Sequence, residues 1–354
     1  MNPRKGMFYW QADRPYNAQQ IKSIFLDRKV NFDPKSIIEA VIHGLISAGI
    51  EKNPDLTLEP PINFGSVNIV CPFKTKLGYE GIIRAFPPSI DNSYFYVEKE
   101  AMALARQAGV KTATVTFVSL DKKQFPFHYM LMDRIPGTIM QEEVEKNPEL
   151  YKTYLNQVGQ NMALIHSVKT SGYGFFDNKL AASGILKGQY QSNEENFTAA
   201  LDKDEEFYSD KQSWIDASQV KKAIRVLRTK KYLAKCDTPV LIHNDIADWN
   251  TVVKGNLVTG IFDWDECFSG DPLFEFATAK LFYPDARFDY LLTGYKQIAK
   301  IPDDFGEKFD LYVMRYIISK TKISINKLIS IEKKSTRERF ETAKKILKEL
   351  LQKF

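Results

Sequence analysis

Cysteine is scarce and scattered: Cys71, Cys236 and Cys267 are the only three in 354 residues, and no C-x-x-C pair occurs. A disulfide framework and a zinc–thiolate site are therefore not what organises the chain. Long apolar runs are also missing. The longest stretch, Ile37 to Ile50, is interrupted by Glu39 and His43, and the segment Met1 to Trp10 lacks an apolar signal core. A cytoplasmic protein without stable membrane association is the expectation. Charge of one sign is absent as well, since 49 basic residues face 44 acidic ones for a net +5. An excess this small and this spread out does not argue for a nucleic-acid partner. No internal repeat or low-complexity segment breaks the pattern. With 44% hydrophobic residues, the chain can bury one large core or two smaller ones, and two lobes are expected.

The most informative stretch is Leu241-Ile-His-Asn-Asp-Ile-Ala-Asp-Trp-Asn-Thr-Val-Val253, followed by Gly260-Ile-Phe-Asp-Trp-Asp265. Moving a phosphoryl group from ATP to a hydroxyl needs a group that orients the hydroxyl and oxygen ligands for the metal that neutralises the phosphates. Asp245 suits the first role, and Asn250 and Asp263 suit the second, because magnesium prefers oxygen and commonly takes one or two protein ligands plus phosphates. Short β-branched and apolar runs at Pro239 to Ile242, Thr251 to Val253 and Leu257 to Phe262 put these polar residues on loops held by strands. Solvated carboxylates on a hairpin are the bland alternative. Gly270-Asp-Pro272, entering a helical stretch just downstream, weighs against it.

His243-Asn-Asp245, Asn250, Ile261-Phe-Asp263-Trp264 and Gly270-Asp-Pro272 together resemble the catalytic loop, metal-binding segment and following turn of the aminoglycoside phosphotransferase and choline kinase superfamily. That superfamily shares the protein-kinase-like fold. The resemblance implies an α+β, two-lobed architecture with a small antiparallel-sheet N-lobe and a larger, mainly helical C-lobe. It implies a helical extension over 1–58, a nucleotide-binding N-lobe over 59–135, and a catalytic and acceptor-binding C-lobe over 136–354. By the same resemblance Asp245 is the catalytic base, Asn250 and Asp263 bind Mg2+, and His243 and Asp271 are structural supports. The tryptophan after Asp263 favours a small-molecule kinase over a protein kinase. So does the lack of a three-glycine loop, of Asp-Phe-Gly and of Ala-Pro-Glu.

Upstream, residues 17 to 28 and 35 to 48 read as helices whose apolar positions suit core packing, the second capped by Asp33 with Pro34 in its first turn. Ile62 to Val70 and Tyr79 to Phe86 read as strands. Gly65-Ser-Val-Asn68 is too weak alone to be a phosphate loop, but it looks like the family's nucleotide-covering turn, which makes Gly65, Ser66 and Asn68 candidate ATP contacts. Arg84 is the candidate contact to the α- and β-phosphates, standing where many relatives have lysine. Its expected ion-pair partner is Glu100, with Glu98 as the alternative. The strand that ends at Met132-Asp-Arg-Ile-Pro-Gly137 looks like the inter-lobe hinge, with backbone groups near Asp133 and Ile135 meeting the adenine.

Tyr151 to Val168 suits a buried helix, with His166 in a structural role. Leu186 to Asp210, poor in periodicity and acidic at Asp202 to Glu206, reads as a solvated segment, and its acids are a candidate attraction for a cationic acceptor. Glu275 keeps a carboxylate where relatives have aspartate. Asp248, Trp249, Asp265 and Glu266 are the candidate acceptor contacts. The tail from Glu332 is an amphipathic helix expected to pack on the second lobe rather than on a membrane surface.

The sequence expectation is thus an ATP- and Mg2+-dependent phosphotransferase acting on a hydroxyl of an aminoglycoside-like antibiotic, amino alcohol or sugar, as a monomer or homodimer. The alternative is a nucleotide-binding interaction protein with a kinase-like fold and little catalysis.

Overall fold

The computed structural model describes residues 19–20, 33–62, 68–88, 90, 93–301, 305–330 and 332–354. Residues 17 to 28, expected to be helical, lie almost entirely outside these, as do Gly65 and Ser66.

The N-terminal part is an antiparallel five-stranded sheet in the order β1-β2-β3-β5-β4. Its strands are β1 (Leu56–Leu58), β2 (Ile69–Thr75), β3 (Glu80–Ala85), β4 (Val115–Ser119) and β5 (Tyr129–Asp133). Strand β2 thus starts later than the sequence pattern suggested, and the first strand comes from the segment expected to be a helical extension. Alternation along β5 explains why both faces are covered. Tyr129 and Leu131 join a core with Ile37, Val41 and Leu45 of helix α1 (Pro34–Ser47), whereas Met130 and Met132 join one with Val97, Ala101 and Met102 of helix α2 (Phe95–Gln107). Helix α1 begins where expected: the Asp33 carboxylate accepts from the Ser36 N–H at 2.9 Å, and Pro34 opens the first turn.

Beyond the short strand β6 (Thr138–Ile139) and helix α3 (Met140–Lys146), the chain turns mainly helical. Helix α4 (Leu150–Ser167) crosses α8 (Arg287–Ile298) at very short range. Glycine makes that approach possible. A Cβ added at Gly159 would sit 2.0 Å from the Leu291 carbonyl oxygen, and one at Gly294 would sit 1.7 Å from that of Asn156. Between these helices in sequence come β7 (Tyr173–Phe176), β8 (Gly188–Tyr190), α5 (Leu201–Tyr208), α6 (Ala217–Thr229), β9 (Val240–Ile242), β10 (Thr251–Lys254), β11 (Leu257–Ile261), β12 (Phe268–Gly270) and α7 (Leu273–Phe282). Two small antiparallel sheets, β8-β7-β12-β9 and β11-β10-β6, are the platform from which the polar loops project.

Residues 186–210 fit the sequence expectation of a solvated segment only in part. Asp202 and Glu206 are exposed, but Asp204 is buried, 3.4 Å from Arg315 and 3.7 Å from Lys322. Asp202 and Glu205 pair with Arg228 at 2.5 and 2.8 Å. Three of the four acids therefore have a cation of the same chain beside them.

Helices α9 (Glu307–Ser330) and α10 (Lys334–Lys353) close the molecule. Phe340, Ala343, Leu347, Leu350 and Leu351 of α10 are buried, and a large apolar side chain removed from water in this way contributes roughly 1.5–3 kcal/mol. The apolar stripe is spent on the body of the protein, as its sequence pattern suggested. Among the described residues, no helix is long and apolar enough to cross a membrane.

Candidate active site

Strand β9 delivers His243, Asn244 and Asp245 into a loop that returns through Asn250 to β10. The loop is anchored from below by Glu275 of α7. One of its carboxylate oxygens accepts the His243 N–H at 2.8 Å and the other the Asn244 N–H at 2.7 Å. Glu275 is buried, with the His166 ring 3.6 Å away, and its two bonds to the loop backbone are the ones that anchor it. Such charge-assisted bonds are the strong kind. They hold Asn244 in a left-handed conformation, φ 68°, with its side-chain oxygen accepting from the Thr278 hydroxyl at 3.2 Å.

His243 ties this loop to the second one. Its Nδ1 accepts the Asp245 N–H at 3.3 Å, which leaves Nε2 protonated and donating to the Phe262 carbonyl at 3.1 Å. Burial lowers its pKa and so keeps the ring neutral, as that tautomer requires. Phe262 precedes Asp263, the other left-handed residue that is not glycine among the described residues, at φ 66°. Aspartate and asparagine tolerate this region better than most residues, and strain of this kind collects at functional sites.

Asn250 completes the cluster. Its side-chain amide donates to the Asp245 carboxylate at 2.7 Å and to the Asp245 carbonyl at 2.9 Å. With both amide hydrogens spent, its oxygen is the atom left to face a ligand. Burial raises the Asp245 pKa to about 6; nearby Lys320 and the Asn250 bond oppose the rise, and the charges of Glu266 and Asp263 add to it.

From the N-terminal sheet, Arg84 of β3 donates to Glu98 of α2 at 2.5 Å and to Asp263 at 3.3 Å. The expected partner Glu100 is corrected to its alternative, Glu98. The inward face of α2 carries Val97, Ala101, Met102 and Ala105, and Glu98 falls on that face. Two residues on is about 200° around a helix, which places Glu100 beside Lys99 at 3.9 Å instead. Burial disfavours the Arg84 charge, but Glu98, Asp263 and Asp265 more than offset it and raise its pKa.

The remaining expected residues separate. Asn68 is buried where the chain enters β2. The backbone N–H of Asp133, an expected adenine contact, donates to Thr114 at 2.9 Å and that of Arg134 to Glu80 at 3.2 Å. The side chain of Ile135 packs over Gly260, where an added Cβ would lie 2.6 Å away.

Asp248 is buried and accepts from the Tyr151 hydroxyl at 2.8 Å. Asp265, expected against an acceptor, is buried with its charge acting on Arg84. Glu266 does face the catalytic loop, accepting from Asn244 at 3.4 Å with Lys320 at 4.0 Å. Trp249 lies between Phe282, at 4.8 Å between ring centroids, and the Arg339 guanidinium, 4.9 Å over its ring. Ile246 and Ala247, the loop's other variable positions, are buried.

Sequence reasoning missed the contribution of α9 and α10: Lys320, Lys327 and Arg339 all act electrostatically on Asp245. Spacing held a signal, since Tyr316, Lys320 and Lys327 recur at four and seven residues, on the side of α9 that otherwise reads as core.

The model of the phosphotransferase enzyme family, APH, matches residues 82–307, well over half of the chain. No curated protein sequence matches significantly. Among solved structures, the chain is similar to a thermostable mutant of aminoglycoside phosphotransferase APH(4)-Ia in ternary complex with AMP-PNP and hygromycin B. Identity is 19% and the TM-score 0.65, with 88% of this chain and 98% of that one covered. It is also similar to macrolide 2'-phosphotransferase MphH from Brachybacterium faecium, at 15% identity and TM-score 0.55 over 87% and 98% of the two chains. A Thermobifida fusca protein provisionally named a fructosamine-3-kinase matches at 13% identity and TM-score 0.57, again over 87% and 98%. At these identities the likeness concerns the fold, which is the kinase-like α+β fold.

Proposed function

We propose that this chain, which belongs to the phosphotransferase enzyme family, transfers the γ-phosphoryl group of ATP to a hydroxyl of a small molecule, with Asp245 as the base. The observation that carries this reading is the convergence of Asp245, Asn250 and Asp263 from two loops that His243 stitches together. In this reading the lobes divide near residue 135, with ATP between Arg84 and Ile135 on one side and the acceptor approaching Asp245 from the other.

The donor set fits a hard divalent cation. Asn250 offers an amide oxygen and Asp263 a carboxylate, and magnesium takes such a pair when phosphate oxygens complete its shell. These two residues would hold the ion, which when bound draws charge from the transferring phosphates. Arg84 adds a positive charge fixed by Glu98 and aimed at the same place, and a preorganised charge costs no reorganisation during reaction.

In the transfer, the acceptor oxygen bonds to the γ-phosphorus while the bond from that phosphorus to the bridging oxygen breaks. ADP leaves, and the acceptor proton passes to Asp245. With a pKa near 6, Asp245 is mostly ionised at neutral pH and still basic enough to take a proton late. Positioning contributes more than ground-state deprotonation in so loose a transition state.

The test is γ-phosphate transfer from labelled ATP to a panel of aminoglycosides, amino alcohols, sugars and hydroxy acids, with and without a magnesium chelator. Asp245→Asn is expected to lower turnover roughly 10²- to 10⁴-fold. Wild-type turnover by that variant on a true acceptor would show that Asp245 is not the base.

A further inference from the structure

Asp248 to Asn250 form a single turn of 3-10 helix between the base Asp245 and β10, so whatever fixes Asp248 also fixes Asn250. Within the loop, the Asn250 N–H donates to the Ala247 carbonyl at 3.0 Å, and the Thr251 hydroxyl donates to the same oxygen at 2.8 Å. A clamp closes on the turn from outside. Tyr151, in the first turn of α4, donates through its hydroxyl to the buried Asp248 carboxylate at 2.8 Å. The Arg287 guanidinium covers the Tyr151 ring at 5.1 Å and stands 5.7 Å over that of Tyr283. Arg287 is itself fixed by Asp285, to which its Nε and Nη2 each donate at 2.9 Å. Trp249, the middle residue of the turn, packs edge-on against Phe282 of α7 at 4.8 Å.

Packing alone does not call for an acid at this place. A carboxylate taken out of water costs free energy unless it is hydrogen-bonded, whereas an apolar side chain of similar size would fill the space at no such cost. What the acid adds is direction. The short charge-assisted bond from Tyr151 fixes the side chain and, with it, the backbone of the turn. Both amide hydrogens of Asn250 go to Asp245, at 2.7 and 2.9 Å, and its oxygen is the proposed metal donor. A displaced turn would therefore move metal donor and base together, and misplacement by about 1 Å can cost on the order of 10²-fold in rate.

We propose that Asp248 is a positioning residue: the bond it accepts from Tyr151 holds the turn that carries Asn250 and keeps the metal donor in register with Asp245. This rests on the reading of Asn250 as a magnesium ligand. Asp248 itself touches neither nucleotide nor acceptor.

The magnesium dependence of AMP-PNP binding to the full chain tests this without turnover. Calorimetric titrations with excess magnesium and with a chelator give two dissociation constants, whose ratio measures how well the metal site is formed. Tyr151→Phe keeps the ring beneath Arg287, and Asp248→Ala removes the oxygens that accept the bond; each should lower the ratio about tenfold or more. The metal-free constant should stay at its wild-type value, and the double variant should be no worse than Asp248→Ala alone. Asp248→Asn keeps an oxygen able to accept from Tyr151 and should restore the wild-type ratio. Melting temperatures report folding, and Tyr151→Phe carries the test if Asp248→Ala does not fold. Asn250→Ala separates this inference from the metal reading. If the dependence survives Asn250→Ala, that reading is wrong and the inference falls with it. If Asn250→Ala abolishes the dependence while Tyr151→Phe keeps the wild-type ratio, or Asp248→Asn behaves as Asp248→Ala, the positioning role is overturned and the metal reading stands.

Discussion

Two groups of cations near Asp245 are held in different ways. The Arg84 guanidinium is matched by Glu98 and Asp263 within 3.3 Å, so one positive charge is fixed at one point by acids of the same chain. Lys320, Lys327 and Arg339, from α9 and α10, act on acids spread over several elements, Asp245, Glu266, Asp248 and Glu338. The first arrangement sets a single charge by short contacts; the second spreads its charge over two helices.

Breaking the Arg84 cluster should have the largest effect. Asp263→Asn removes both the carboxylate proposed as a metal donor and the second partner of Arg84, and turnover should fall roughly 100-fold or more, read as kcat at saturating ATP. Little change in kcat would remove Asp263 from the chemistry.

Helix α2 allows a sharper comparison. Glu98→Gln leaves Arg84 buried beside a neutral partner and should cost about 3 kcal/mol of stability. Glu100→Gln, on the outer side of the helix, should stay within about 0.5 kcal/mol. Urea denaturation of the two variants reads the difference, and equal losses would return Glu100 to the pairing.

For Lys327 the sign reverses, because burial is the largest cause of its shift and disfavours its charge, with repulsion from Lys320 and Arg339 adding to it. Lys327 has a pKa near 8 in the folded chain against about 10.4 unfolded. Its contribution to stability is therefore complete above the unfolded value and is lost as pH falls through 8. Lys327→Met should thus stabilise the ligand-free protein by about 1–2 kcal/mol at pH 7, after discounting for the partly solvated side chain. The gain should shrink steadily toward pH 10, as followed by thermal melts across that range. A gain independent of pH would mean that packing, not charge, is responsible.

This contrast also explains what was legible in the sequence. Asp245, Asn250 and Asp263 sit within nineteen positions of one another, on loops whose flanking strands announce themselves by β-branched runs. The strand pair around Lys76 to Gly78, α1 with its Asp33 cap, α4 and the buried face of α10 follow from local periodicity in the same way. Glu98 was within reach, since it lies on the apolar face of α2 and Glu100 does not. The cations of α9 and α10 near Asp245 were not legible. Lys320 and Arg339 reach Trp249 and Glu266 only because α9 and α10 fold back across the catalytic loop, and no local pattern encodes that crossing. The pairing of Asp202, Asp204 and Glu205 was hidden for the same reason: their partners Arg228, Arg315 and Lys322 lie far along the chain.

One measurement tests the account most directly: transfer of the γ-phosphoryl group of ATP to a true acceptor by Asp245→Asn, with the KM for ATP of the same variant. The expected result is turnover lowered roughly 10²- to 10⁴-fold with the KM for ATP unchanged. Wild-type turnover by the variant would contradict the assignment of Asp245 as the base.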